Sequence, residues 1–204
     1  MKKNIFLFTL LLSFCGKAQV SLQTYAGNKE AEMLGIYNKD FKSQWNYFAS
    51  ATITYNYESE KVNPELYQNL NYGIGRNLGI SAGVHISRED IMPSVGVAYG
   101  KENQVWNISV FPAFTYSTQA KEFGLGLYTL LEYTPKINEK LTLYSMLIVE
   151  SDFSFKEHQV SSQIIRLGIE NKKKMQFGIG SNISQTGSGF ETDINFGVFI
   201  GKKF

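Results

Sequence analysis

The sequence has 204 residues and 20 Lys and Arg against 18 Asp and Glu, a net charge of +2 that gives no reason to expect a nucleic-acid partner. Charged residues are only 19% and aromatic residues 14%, while Gly reaches 18 against 4 Pro. This is a β-rich composition, and a mean hydropathy of −0.18 is what membrane strands give when their polar and apolar faces cancel.

At the amino terminus, Lys2 and Lys3 precede an apolar run from Ile5 to Phe14, and Gly16-Lys17-Ala18 places small residues where a signal peptidase needs them. Residues 1–18 are therefore expected to be a cleaved secretory signal peptide, too short to span a bilayer as a helix. Cys15 is the only cysteine, and Phe14 before it argues against a lipoprotein. A cysteine-free mature chain has no disulfide framework, so its stability must come from closing a sheet on itself.

Residues 19–44 contain two short strand-like segments, Val20 to Asn28 and Ala31 to Asn38, joined at Gly27-Asn28-Lys29-Glu30. Their alternation is imperfect, and they read either as two barrel strands or as a periplasmic lead-in.

From Trp45 the pattern is clean. Trp45, Tyr47, Ala49, Ala51, Ile53, Tyr55 and Tyr57 form one face and Asn46, Ser50, Thr52, Thr54 and Asn56 the other. Period two means a strand with one apolar face, and aromatic residues at both ends are the girdles expected at two membrane interfaces. Leu66, Leu70, Tyr72 and Ile74 repeat it against Asn69, Asn71, Gly73 and Gly75, and Leu78, Ile80, Ala82, Val84 and Ile86 against Gly79, Ser81, Gly83, His85 and Ser87. Further strands follow from Ile91 to Gly100, Trp106 to Tyr116, Phe123 to Tyr133, Leu141 to Glu150, Ser162 to Glu170 and Met175 to Ser184. Pro112 lies on an apolar face and cannot donate to the ladder, so a bulge or local break is expected there. The segment around Tyr144 is apolar on both faces, which predicts a packed lumen at that height.

The last strand, Phe190 to Phe204, sets Phe190, Thr192, Ile194, Phe196, Val198 and Ile200 against Glu191, Asp193, Asn195, Gly197 and Gly201. Its aromatic terminus is similar to the assembly signal of bacterial outer-membrane barrels, and Phe196, Val198, Ile200 and Phe204 are the residues that would carry it. The expected fold is an all-β, antiparallel up-and-down transmembrane barrel over 45–204, with about 10 strands, or 12 if the first hairpin joins. A soluble β-sandwich buries its apolar faces in one core; here nearly every strand has its own outward apolar face tipped by Trp or Tyr.

The Lys17-Ala18-Gln19 junction, Tyr25-Ala26-Gly27-Asn28-Lys29, Trp45-Asn46-Tyr47-Phe48 and Tyr133-Thr134-Pro135-Lys136 resemble the small outer-membrane barrels of Bacteroidetes. The resemblance implies an outer-membrane location and brings no activity with it.

Inward parity gathers six ionisable residues: Glu132, Glu150, Arg166, Glu170, Glu191 and Asp193. Desolvated charges must be paired, so this set reads as a lumen network, or as the charged lining of a narrow channel. Glu132, Glu150 and Arg166 fall on three consecutive strands and are expected to meet. His85 and Ser87 share a face, a spacing similar to the His-x-Ser of an outer-membrane lipid A deacylase family, although Arg88 stands where that family has asparagine. His158 falls in an expected outer loop, and two separated histidines give no metal motif. No cofactor is expected.

The functions open to such a chain are a narrow passive channel for a small-molecule solute, a non-conducting structural or accessory envelope barrel, and, resting on His85 and Ser87 alone, a lipid-modifying enzyme. The expected partners are outer-membrane lipid and the barrel-assembly machinery, with both mature termini in the periplasm.

Overall fold

The computed structural model describes residues 19–41 and 44–204. The expected signal peptide lies outside the described residues. Twelve strands follow one another: β1 (Gln19–Gly27), β2 (Glu30–Asp40), β3 (Trp45–Asn56), β4 (Val62–Gly73), β5 (Leu78–Ile86), β6 (Ile91–Glu102), β7 (Trp106–Ser117), β8 (Glu122–Tyr133), β9 (Leu141–Ser154), β10 (His158–Asn171), β11 (Met175–Thr186) and β12 (Glu191–Lys203). Each pairs antiparallel with its sequence neighbours, and β12 returns to β1 to close the barrel.

The alternation read from the sequence decides which side chains face out. On β12, Phe196, Val198 and Ile200 are 62%, 59% and 55% exposed, whereas Asn195 and Phe199 are 2% and 3% exposed. The exposed set continues around the barrel through Leu22, Met33, Ile53, Leu70, Ile80, Val95, Phe114, Leu125, Leu167 and Ile179. Apolar surface on this scale cannot be left in water, and the closed ladder leaves no strand edge, the two conditions for crossing a bilayer with strands. Aromatic pairs mark both ends of the belt. Trp45 packs on Tyr72 and Trp106 on Tyr133 near the rim that holds the chain ends, while Tyr55 packs on Tyr57 and Tyr116 on Phe123 near the opposite rim.

The first hairpin joins the barrel. Its alternation looks imperfect in sequence because β2 turns Glu32, Leu34 and Ile36 all inward, so both of its faces carry apolar residues. Pro112 produces a local break and no bulge. The β6–β7 ladder omits the pairs opposite Pro112 and Phe111 and resumes in the same register. A register shift does occur between β9 and β10 at His158 to Val160, which makes His158 a buried strand residue, contrary to its expected place in a loop.

An even strand number puts both chain ends on one rim, the terminal rim; the other is the distal rim. The connections are short, and the longest, between β8 and β9, covers only residues 134–140.

Depth-dependent cost tests the belt. Val198→Arg, at mid-strand on the outer face, is expected to destabilise the barrel by about 2–4 kcal/mol in lipid, and Thr192→Arg near the distal end of the same strand by about 0–1 kcal/mol. Denaturant unfolding in phospholipid vesicles measures both, and equal costs would overturn the position of the belt.

Candidate functional site in the lumen

The interior is organised in layers. At mid-height, inward aromatic residues from opposite walls meet: Phe48 of β3, Tyr67 of β4, Phe111 of β7 and Tyr128 of β8. Tyr67 stacks on Tyr128 with ring centres 4.4 Å apart, and Phe48 packs on Phe111 at 5.1 Å and on Tyr128 at 5.3 Å. Leu34, Leu130, Met146, Ile148 and Phe199 extend this layer, all buried. Burial of so many large side chains makes it a packed core inside the barrel. Phe111 borders both a cavity on the distal side, with His85 and Glu150, and one on the terminal side, with Asn46 and Lys101.

Beside this layer lies Arg166, 1% exposed. Its Nη2 donates to Glu32 Oε1 at 2.8 Å, and its Nη1 donates to Asn182 Oδ1 and to the Ile165 carbonyl, both at 2.9 Å. Asn182 Nδ2 donates in turn to Glu32 Oε2 at 3.0 Å. The guanidinium lies 4.1 Å from the centre of the Tyr25 ring, whose hydroxyl donates to the Asn195 carbonyl at 2.7 Å. Gly180 makes room for it, since a Cβ there would meet Arg166 Cδ at 2.8 Å. Only its Nε is left buried without a partner among the described residues, and a buried charge needs contacts of this number to offset its desolvation.

Shared parity puts Glu132, Glu150 and Arg166 inside, but it does not bring them together. Met146 is the cross-strand neighbour of both Glu132 and Arg166, so it stands between them, and Glu150 lies opposite Tyr128 and Ser162, further toward the distal rim. Arg166 reaches Glu32 instead. Glu132 accepts from Lys203 Nζ at 2.9 Å and from Asn107 Nδ2 at 3.0 Å in the terminal half. Glu170 takes Lys174 Nζ at 2.9 Å and Gln176 Nε2 at 2.9 Å, and Gln176 accepts from Gln23 at 3.1 Å. The expected single cluster is therefore several separate pairings at different heights. Asp193 sits at the distal mouth, paired with Lys29, and Glu191 is exposed at the start of β12. Phe204 is exposed on the outer side, its N–H donating to the Val20 carbonyl at 2.8 Å.

His85 and Ser87 do not form a nucleophile pair. Ser87 belongs to the β5–β6 turn, where its Oγ accepts from the N–H groups of Asp90 and Glu89 at 3.0 and 3.3 Å. His85 faces the lumen, with Nδ1 3.9 Å from Asp152 Oδ2. It lies in a group that joins the β4–β5 hairpin to β9: one ligand atom each from Glu65, His85 and Glu150 lie within 4.8 Å of one another. Glu65 follows the inward parity of Tyr67 and Asn69, but Pro64 beside it obscures the start of that strand. The irregular alternation of the first hairpin hides Glu32, and Lys203 stands beside Lys202, which breaks the apolar parity at the end of β12.

At the distal rim, Asp90 ties two turns together. Its carboxylate accepts from Ser117 Oγ, from Thr118 Oγ1 at 2.9 Å and from the N–H groups of Ile91 and Gln119 at 2.7 and 3.0 Å. Partial burial raises its pKa, but these donors together outweigh that and hold it below the usual carboxylate value. Lys156 is raised by its hydrogen bond and charge contact with Glu122 at 2.6 Å. The largest cavity at this end, about 710 Å³, is bordered by Glu65, His85, Asp90 and Asp152. The terminal side holds cavities of about 360 and 270 Å³.

Arg166→Met leaves Glu32 buried without its cation and is expected to cost about 3–5 kcal/mol, whereas Arg166→Met combined with Glu32→Leu should recover most of that loss. Thermal melting followed by the heat-modifiable gel shift reads both. A single variant as stable as the parent would mean that the pair carries no stability.

No protein-family model matches the sequence, and no curated protein matches it. Solved structures do resemble it. The chain is similar to the KdgM porin (8% identity, TM-score 0.52, 91% of this chain and 99% of that one) and to the NanC porin (12% identity, TM-score 0.53, 92% and 98%). The KdgM porin in complex with disordered oligogalacturonate is similar to the same degree, with 9% identity and a TM-score of 0.51 over 91% and 99%. At these identities the likeness establishes the fold: a closed 12-stranded antiparallel barrel of the outer-membrane porin kind.

Proposed function

We propose that this chain is an integral outer-membrane barrel with two water-filled vestibules separated by a packed mid-section, non-conducting as it stands. The observation that carries this reading is the packed layer of Phe48, Tyr67, Phe111 and Tyr128, continuous with Leu130, Met146 and Ile148, which stands between cavities on its two sides. The barrel then acts through its vestibules and its outer surface, as a structural or accessory envelope protein. A second reading, a narrow passive channel for small solutes, is favoured by the likeness to the KdgM and NanC porins over nearly the whole chain. It requires the aromatic layer to move.

Planar-bilayer conductance separates the two. The parent is expected to be silent, and Phe48→Ala with Phe111→Ala to create steps by joining the vestibules. Steady conductance by the parent would overturn the sealed reading in favour of the channel.

In this reading the signal peptide of residues 1–18 directs export, lipid covers the apolar belt, the chain ends lie in the periplasm, and the barrel-assembly machinery recognises the Phe196, Val198, Ile200 and Phe204 face. Phe204 is held to β1 by its backbone N–H, which donates to the Val20 carbonyl, and its ring contacts Lys202. Losing that ring should therefore affect recognition more than the folded barrel. Phe204→Asp is expected to lower barrel levels in outer membranes severalfold while Lys202→Ala changes them little, as measured by quantitative blotting of membrane fractions. Equal levels of Phe204→Asp and parent would remove Phe204 from the signal.

A further inference from the structure

The distal vestibule contains a group of side chains that neither sealing nor assembly uses. Glu65 of β4 and His85 of β5 sit on neighbouring strands of one hairpin, and Glu150 of β9 reaches them across the lumen, so that one ligand atom from each lies within 4.8 Å of the others. Neither Glu65 nor Glu150 forms an ion pair with a lysine or arginine among the described residues. The His85 Nε2 is buried and has no hydrogen-bond partner. An imidazole nitrogen and two carboxylates left without cations in a half-enclosed site lack a positive centre.

The neighbour on the other side of the ring gives the group its polarity. Asp152 Oδ2 stands 3.9 Å from His85 Nδ1, too far for a hydrogen bond as it stands but close enough that a small side-chain shift would make one, keeping the proton on Nδ1 and leaving Nε2 as the lone-pair donor. A carboxylate behind a histidine is how proteins orient imidazole toward a metal. Ligand atoms around a tetrahedral zinc ion sit roughly 3.4 Å apart, so about an ångström of side-chain movement closes the group, and Glu65, which is exposed, has room to supply it. The approach suits a cation as well. The adjoining cavities of about 710 and 250 Å³ are both bordered by Glu65, and Arg88 is the only lysine or arginine among the residues lining them.

We infer that Glu65, His85 and Glu150 bind one divalent transition-metal ion of the zinc class on the floor of the distal vestibule, with Asp152 positioning His85. Imidazole in the donor set selects this class over magnesium and calcium, which take oxygen ligands. Three protein ligands leave a coordination position facing the vestibule.

The test uses untagged barrel purified in detergent and freed of metal by chelation. Calorimetric titration with ZnCl2 should give one ion per barrel, undisturbed by excess MgCl2, and Co2+ should give the visible absorption of a low-coordinate nitrogen and oxygen site. His85→Gln and Glu150→Gln should each weaken Zn2+ binding more than tenfold, and Asp152→Asn by about 10–100-fold. Glu65→Gln, a near-isosteric change at an exposed position, should also weaken it more than tenfold and keeps the test valid if the buried variants misfold. No saturable Zn2+ binding, or binding unchanged in both Glu65→Gln and His85→Gln, would overturn the assignment.

Discussion

Everything in this molecule depends on the pairing of β1 with β12. Inside a hydrocarbon layer an unpaired strand edge would leave a row of amide groups without partners, each at a cost of several kcal/mol, so a sheet can cross only as a closed cylinder. The register Thr24 to Ile200 and Tyr25 to Phe199 achieves that closure. It also decides where the first hairpin lies, and through the hairpin which residue meets Arg166. The two ends of the chain are the two sides of one seam.

Closure of only twelve strands creates an interior narrow enough for side chains to fill. The barrel fills it differently at different heights. Aromatic and aliphatic residues occupy the middle, where Tyr67 and Tyr128 stack and Phe48 wedges against Phe111. Charges occupy the layers beside and below it, each paired locally: Arg166 with Glu32 and Asn182, Glu132 with Lys203 and Asn107, and Glu170 with Lys174 and Gln176. Water is restricted in such a place, and an ion left alone would be costly, so the sorting into separate pairs follows from desolvation. Around His85, between this layer and the distal mouth, the pattern is interrupted. Glu65, Glu150 and Asp152 gather around His85 without a lysine or arginine, and the vestibule above them is acidic.

The sequence by itself determined the class of the protein and the facing of most of its residues. Period-two alternation is a local property, set by the pleat of each strand, so Trp45, Ile80, Phe114 and Val198 could be placed outside and Asn69, Arg166 and Asn195 inside without any knowledge of neighbours. Parity also anticipated the packed lumen around Tyr144. It was weakest on β2, where Leu34 and Ile36 face inward and the apolar pattern of the two faces merges.

Only the tertiary structure decided which inward residues touch. Contact in a barrel depends on register and closure, which fix the height of each residue, and on reach across the lumen, which joins strands far apart in sequence. Arg166 was expected to find Glu132 or Glu150 on the adjoining strands; Met146 occupies the place between it and Glu132, and the partner is Glu32, brought round by the β1–β12 seam. Glu65 and His85 are brought together by the register of the β4–β5 hairpin, but Glu150 belongs to β9, and no spacing in the chain could have joined it to them, because that proximity exists only once the cylinder is closed.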